Sequence, residues 1–157
     1  MDVKVLAEKL KEALEALLEE FKEWEEGRST TEPTIIRIHD KLIEDDPTSE
    51  RGVINLGTVP LAIYSAIEDL NRNHDAARAM AVLLYRLVVS HPFVDGNKRA
   101  SLAFVFSILY GLGVVNVPER VEKELLKNLA ELSDNPPEED ENAISRIQAI
   151  MRLILEG

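Results

Sequence analysis

Apolar residues recur every three or four positions at Val3, Leu6, Leu10, Leu14, Leu17, Phe21 and Trp24. That spacing lines them along one side of a helix, which Gly27 ends. Such a stripe suits packing on the core of the domain or on a second copy of the chain, so a homodimer is one expectation. A second helix is predicted from Pro33 to Asp45, with Pro33 in its first turn and Pro47 marking its end. From Pro47 to Gly57 the segment PTSERGVINLG sets turn residues around a short apolar pair and reads as a loop or small hairpin. Thr58 then offers an N-cap for a helix that carries Leu61, Ile63, Tyr64, Ile67 and Leu70. The polar connection NRNH follows, with His74 as an ordinary loop residue, and Asp75 is suited to cap the next helix.

From Ala76 to Val89 the chain is largely small or aliphatic, with Arg78 and Arg86 as the charges, which predicts a helix enclosed by others on most sides. A comparable helix runs from about Lys98 to Tyr110, contains ASLAFVFSILY, and is stopped by Gly111 and Gly113. These two near-central helices, joined by a short polar loop, form the skeleton of the domain. Peripheral helices are expected from about Pro118 to Leu132 and from Asn142 to Leu155, separated by the acidic SDNPPEEDE. There is no internal repeat and no alternating strand pattern. The pattern predicts an all-α bundle of about six to eight helices in one domain over 1–157, with an optional flap hairpin. Within it, 1–27 is an amino-terminal helical extension, about 33–132 is the core, and 142–156 is a carboxy-terminal helix.

Composition narrows the function classes. The chain has 157 residues, long enough to bury a core, and its apolar content of 45% is broken by charge before any bilayer-spanning length. No membrane association is expected. The start MDVKVLAEKLKEALEALL lacks the basic and then unbroken apolar pattern of a secretory signal, which points to a cytoplasmic protein. With no cysteine, a metal has only oxygen or imidazole ligands available. A formal net charge of −11 argues against direct nucleic-acid binding. Against that background the adjacent Lys98 and Arg99 mark a small anion site.

Candidate chemistry collects in the nine residues His91-Pro92-Phe93-Val94-Asp95-Gly96-Asn97-Lys98-Arg99. Pro92 disfavours helical geometry at His91, so the first central helix ends near Ser90 and leaves the imidazole placed to accept a proton. Phe93 is the structural anchor that fixes its neighbours. Gly96 permits close approach of amides to an anion, and Asn97 is suited to cap the second helix, whose first-turn amides attract phosphate. Lys98 and Arg99 add full charges, while Asp95 beside a phosphate calls for Mg²⁺ between them. A lone histidine at a helix end is more often structural than catalytic, and a Lys-Arg pair is usually solvated. Their convergence in one loop points to phosphoryl or nucleotidyl transfer.

The stretch HPFVDGNKR resembles the signature of the Fic/Doc family, HPFx[D/E]GN[G/K]R, in the form with Lys at its eighth position. The wider resemblance runs from roughly Ile35 through Tyr110 and includes IHDKLI. It implies His91 as general base for a Ser, Thr or Tyr hydroxyl of a protein substrate, and Asp95 as Mg²⁺ ligand. Gly96, Asn97, Lys98 and Arg99 form the implied nest for the phosphates of ATP or another nucleoside triphosphate. The segment Arg51-Gly52-Val53-Ile54-Asn55 stands where family members often carry a flap that aligns the target, although an ordinary connector fits as well.

Two positions depart from the nucleotidylating Fic pattern: Lys98 stands for Gly and Leu102 for a second Arg. The Doc-like, death-on-curing branch is similar to this chain in both respects. It is known as the toxin half of toxin–antitoxin pairs and phosphorylates a translation elongation factor. The resemblance therefore favours a Doc-like protein kinase over a Fic-type AMP transferase, with a translation factor as target and a separate antitoxin as restraint. A self-inhibitory [S/T]xxxE[G/N] segment is not matched: Glu26-Gly27 comes near, but Lys22 stands where Ser or Thr is needed. A catalytically silent scaffold is the alternative from another class. His39, on the side of its helix shared by Ile35, Ile38, Leu42 and Ile43, suits either core packing or the lining of the site.

Overall fold

The computed structural model describes residues 2–50, 52–114, 116–135 and 137–156. Its helices are α1 (Val3–Glu25), α2 (Thr34–Glu44), α3 (Thr58–Asn73), α4 (Ala76–Ser90), α5 (Asn97–Gly111), α6 (Glu119–Asp134) and α7 (Asp140–Glu156). Among the described residues there are these seven helices and no strand, so the all-α expectation holds. The stripe of α1 buries Ala7, Leu10, Leu14 and Phe21, and Asp2 caps its first turn by accepting from the Lys4 amide at 2.8 Å. No described helix is long and apolar enough to cross a membrane.

Helix α4 is the axis of the molecule. Eleven of its 15 residues are buried, and it touches α1, α3, α5, α6 and α7. Four of those buried residues are alanines, whose small side chains let neighbouring helices come close. Helix α5 leaves α4 through the motif loop and packs against α2, α4 and α6.

Helix α7 lies on the outside of the bundle, as the pattern suggested, but its inner face is part of the core. It buries Ala143, Ile144, Ile147, Ile150, Met151 and Ile154, and it packs on α4 and α6. Its charges then find partners on α4: Arg78 pairs with both carboxylate oxygens of Glu141 at 2.7 and 2.8 Å, and Tyr85 donates its hydroxyl to Asp140 at 2.7 Å. Burial, and then the Asp140 carboxylate, push the Tyr85 hydroxyl up to about 12. Arg152 closes the same seam on Asp75 at 2.7 Å. These bonds join residues far apart in sequence, so the local charge pattern alone reads as solvent-facing.

Three local expectations change. Helix α3 continues to Asn73, and His74 closes it in a left-handed conformation, φ 52°, with its N–H on the Leu70 carbonyl at 2.9 Å. Gly57, not Thr58, holds the N-cap position, and the Thr58 hydroxyl donates back to the Asn55 carbonyl at 2.7 Å. Residues 52–55 form no hairpin of their own; Val53 makes a single antiparallel bridge to Phe93. Arg51 lies outside the described residues. Asp75 caps α4 as expected, accepting from the Arg78 amide at 3.2 Å.

If α7 completes the core, Ile147→Ala should cost about 2–5 kcal/mol of unfolding free energy, the usual range for a buried Ile→Ala change. Urea unfolding followed by circular dichroism measures it. A loss under about 0.5 kcal/mol, typical of a surface change, would take the inner face of α7 out of the core.

Candidate active site

His91 follows the last turn of α4 and adopts φ 47°, ψ 65°. Pro92 removes the helical region for the residue before it, and the chain turns through the left-handed region rather than extending. For a residue with a Cβ this stores strain of order 1–3 kcal/mol, which the surroundings must hold in place.

Phe93 supplies the hold. It is fully buried, and its ring stacks on His39 of α2 with centroids 3.7 Å apart and planes 4° from parallel. Its backbone is bound on both edges. On one edge the Ile54 amide donates to the Pro92 carbonyl at 2.9 Å and the Val94 amide to the Gly52 carbonyl at 3.1 Å. On the other edge, Asn97 acts as a substitute strand: its Oδ1 accepts from the Phe93 N–H at 2.9 Å and its Nδ2 donates to the Phe93 carbonyl at 2.9 Å. Asn97 is thus the first residue of α5 and a clip on the loop, not the cap of the helix.

The Asn97 side chain also faces His91. Because the Phe93 N–H fixes which end is oxygen, the Asn97 amide nitrogen faces His91 Nδ1, at the long distance of 3.5 Å. A hydrogen bond across this contact would need Nδ1 as the acceptor and the proton on Nε2.

Gly96 holds the N-cap position of α5 at φ 79°, a conformation that favours glycine. A Cβ there would also stand 3.3 Å from Ile43 Cδ1 and 3.6 Å from His39. The loop therefore lies directly on α2. No side chain caps α5, so its first-turn amides and the positive end of its dipole remain available to an anion. Asp95 is exposed, with Oδ1 accepting from the Gly96 amide at 2.8 Å and Oδ2 from the Glu50 amide at 3.4 Å.

The two cations differ. Lys98 lines the loop cavity with no ion-pair partner among the described residues. Arg99 is tied to the loop after α2, with Nη1 3.2 Å from Asp46 Oδ2 and Nη2 2.9 Å from Ser49 Oγ. Hydrogen bonds from the Thr48 and Ser49 hydroxyls and the Thr48 amide, and then Arg99, bring the Asp46 carboxyl down from 3.8 to about 2. Asp46, Ser49 and Arg99 form a pairing that local sequence does not announce.

The cavity holds about 190 Å³ and is lined by Val88, His91, residues 94–99 and Ser133 from the last turn of α6. Ser133 escaped the sequence reading, since nothing near it in the chain marks a site. Leu102 is buried and does not line the cavity. Pockets for whole drug-sized ligands run from roughly 300 to 1,000 Å³, so this one is below that size. A larger groove of about 510 Å³ lies between α1 and α3, lined by residues such as Lys4, Lys11 and His74, and contains none of the loop.

A model of the Fic/DOC family matches residues 29–109, just over half of the chain. The chain belongs to the Fic/DOC family. The match spans α2 to nearly the end of α5 and leaves out α1, α6 and α7. No curated protein and no solved structure gives a match. Fic/DOC proteins are transferases that typically use nucleoside triphosphates with Mg²⁺. Among the described residues no cluster of three or more carboxylate, imidazole or thiol side chains forms a metal site. A lone Asp95 beside the uncapped start of α5 fits a cation held by one carboxylate together with substrate phosphates and water, which is how Mg²⁺ commonly binds.

The lowered Asp46 pKa sets a pH dependence. A carboxyl that titrates lower in the folded chain stabilises it fully above the unfolded value of 3.8, and the effect is lost as pH falls through about 2. Asp46→Asn should therefore melt below the parent protein at pH 7, with the gap narrowing once pH drops below about 4. Thermal melts across that range test it, and a constant gap would remove Asp46 as the cause.

Proposed function

We propose that this Fic/DOC protein is a Doc-like phosphotransferase that moves the γ-phosphoryl group of ATP to a Ser, Thr or Tyr hydroxyl of a protein. One observation carries the choice of reaction: Lys98, unpaired among the described residues, puts a cation into the small cavity where Gly in the nucleotidylating pattern would leave backbone exposed. Leu102, buried in the core, offers no second guanidinium to clamp a triphosphate in the Fic manner.

In the proposed reaction the target hydroxyl oxygen forms a bond to the γ phosphorus. The bond from that phosphorus to the bridging oxygen breaks, ADP leaves, and the hydroxyl proton passes to His91. A base acting through Nε2 needs its proton on Nδ1, so the ring must turn away from Asn97; a 3.5 Å contact restrains it only weakly. Gly96 and the first-turn amides of α5 receive phosphate oxygens, with Lys98 beside them. Asp95 would hold Mg²⁺, which supplies charge neutralisation between the phosphates. Asn97 serves by clipping the loop, and Arg99 is held by Asp46 and Ser49 until a phosphate competes for it.

The target has an edge to pair with. In the bridge to Phe93 the flanking residues carry the hydrogen bonds, so Val53 directs its own N–H and C=O away from the loop. Val53 and Ile54 are 52% and 59% exposed, which supports Gly52, Val53, Ile54 and Asn55 as a flap that adds a strand from the target. The proposal extends to a translation factor as target and to a separate antitoxin as partner, with the reaction taking place in the cytoplasm.

Two measurements decide the reading. ATP labelled at the γ phosphate should transfer label to a candidate translation factor, whereas label arriving only from the α phosphate would assign AMP transfer. His91→Ala should lose roughly 10²- to 10⁴-fold in turnover, the usual worth of a general base, while melting as the parent does. Retained turnover in that variant removes His91 from the mechanism.

A further inference from the structure

His39 stands outside the cavity, yet three residues of the motif loop meet its ring. It is 2% exposed, on the face of α2 that packs against the loop and α5. Its Nε2 lies 2.7 Å from the carbonyl oxygen of Asp95. A carbonyl only accepts, so this contact places a proton on Nε2 and makes His39 the donor. Phe93 covers the face of the same ring, and the Cβ position of Gly96 stands 3.6 Å from its edge. Among the described residues the only carboxylate near the far nitrogen Nδ1 is that of Asp40, at 3.7 Å, beyond hydrogen-bond distance and itself largely exposed.

An aliphatic residue would satisfy the packing, since Ile35, Ile36 and Ile43 fill the rest of this face. A buried imidazole carries a desolvation cost, which the bond to Asp95 offsets. That bond falls on the peptide whose side chain is the proposed cation ligand and whose next residue begins the turn into α5. A carbonyl fixed at this point fixes the whole Asp95–Gly96 peptide, and the Gly96 N–H of that peptide donates to the Asp95 carboxylate at 2.8 Å.

We propose that His39 is a positioning residue: through its bond to the Asp95 carbonyl and its stack on Phe93, it holds the Asp95 carboxylate and the first-turn amides of α5 in register for Mg²⁺-bound triphosphate. The inference rests on the reading of the loop as a Mg²⁺-nucleotide site. It extends that site to a side chain that touches neither metal nor nucleotide.

The test compares His39→Phe, which keeps a flat ring for the stack but has no donor, with His39→Gln, which restores an N–H donor. In the nucleotide-free protein, amide hydrogen exchange at residues 94–100 should rise at least about tenfold in His39→Phe and return toward the parent rate in His39→Gln. Exchange in α7 should be unchanged in both. With ATP as the probe, the Mg²⁺ concentration giving half-maximal binding should rise about 10- to 100-fold in His39→Phe, the range seen when a residue supporting a metal ligand is lost. Gln should recover part of it. Unchanged loop exchange and unchanged Mg²⁺ dependence in His39→Phe overturn the proposal. So does an equal loss in Gln and Phe. If His39→Phe does not fold, His39→Gln is set against His39→Leu, and equal Mg²⁺ dependence in those two is the overturning result. Parent protein that binds no Mg²⁺-ATP, with loop exchange still responding to His39, would sink the functional reading while leaving the positioning of the loop intact.

Discussion

Burying the Phe93 ring takes its backbone N–H and C=O out of water as well, and two unpaired amide groups in the interior would cost several kcal/mol. The Asn97 side chain answers both groups at 2.9 Å, and the bridge with residues 52–54 binds the peptides on either side. His39 closes the remaining face of the ring. A loop that water could otherwise serve in many shapes is thereby confined to one, with His91, Asp95 and the start of α5 turned to a common cavity. The strained left-handed turn at His91 is tolerable because the residue two places on cannot move.

That arrangement in turn depends on helices outside the family match. Helix α4 is buried nearly all round, so its apolar surface is kept from water by α1, α3, α5, α6 and α7. Residues 29–109 include neither α1 nor α7, yet Leu10, Leu14, Ile147 and Met151 complete the same core cluster as Leu83, Leu84 and Leu87. Ser133 brings α6 to the rim of the cavity itself. The matched segment supplies the loop, and the helices around it supply the rigidity that makes the loop's geometry repeatable.

Much of this was legible in the chain, for reasons of range. The stripe of α1, the enclosed character of α4 and the stop before Pro92 are encoded within one or two helical turns, and all three appear in the structure. The anchoring by Phe93 was legible too, because a large aromatic among polar loop residues has few places to go except inward. What escaped depends on partners distant in sequence. Asn97 follows a turn glycine at the head of a helix and so reads as a cap; its true partner is set by the backbone direction of the loop. The Arg99 pairing with Asp46, the Asp95 bond to His39 and the place of Ser133 join separate helices, and no local periodicity reports them. The covering role of α7 was hidden in the same way, since its acids read as solvated until Arg78 and Tyr85 are brought opposite.

Charge balance at the site bears on how a triphosphate would be held. Asp95 and Asp46 contribute two negative charges beside the two positive charges of Lys98 and Arg99, and the whole chain carries −11. Fixed side-chain charge therefore sums to nothing at the place where a nucleotide would bring several negative charges. The uncapped amides of α5 offer only about half a charge, from the helix dipole. In the proposed reaction the deficit falls to Mg²⁺ and to release of Arg99 from Asp46. Asp46, with its carboxyl held at about 2, stays ionised and competes for that guanidinium at any physiological pH. Nucleotide without metal has little to hold it here, so the cation and the triphosphate should bind as one unit rather than in independent steps.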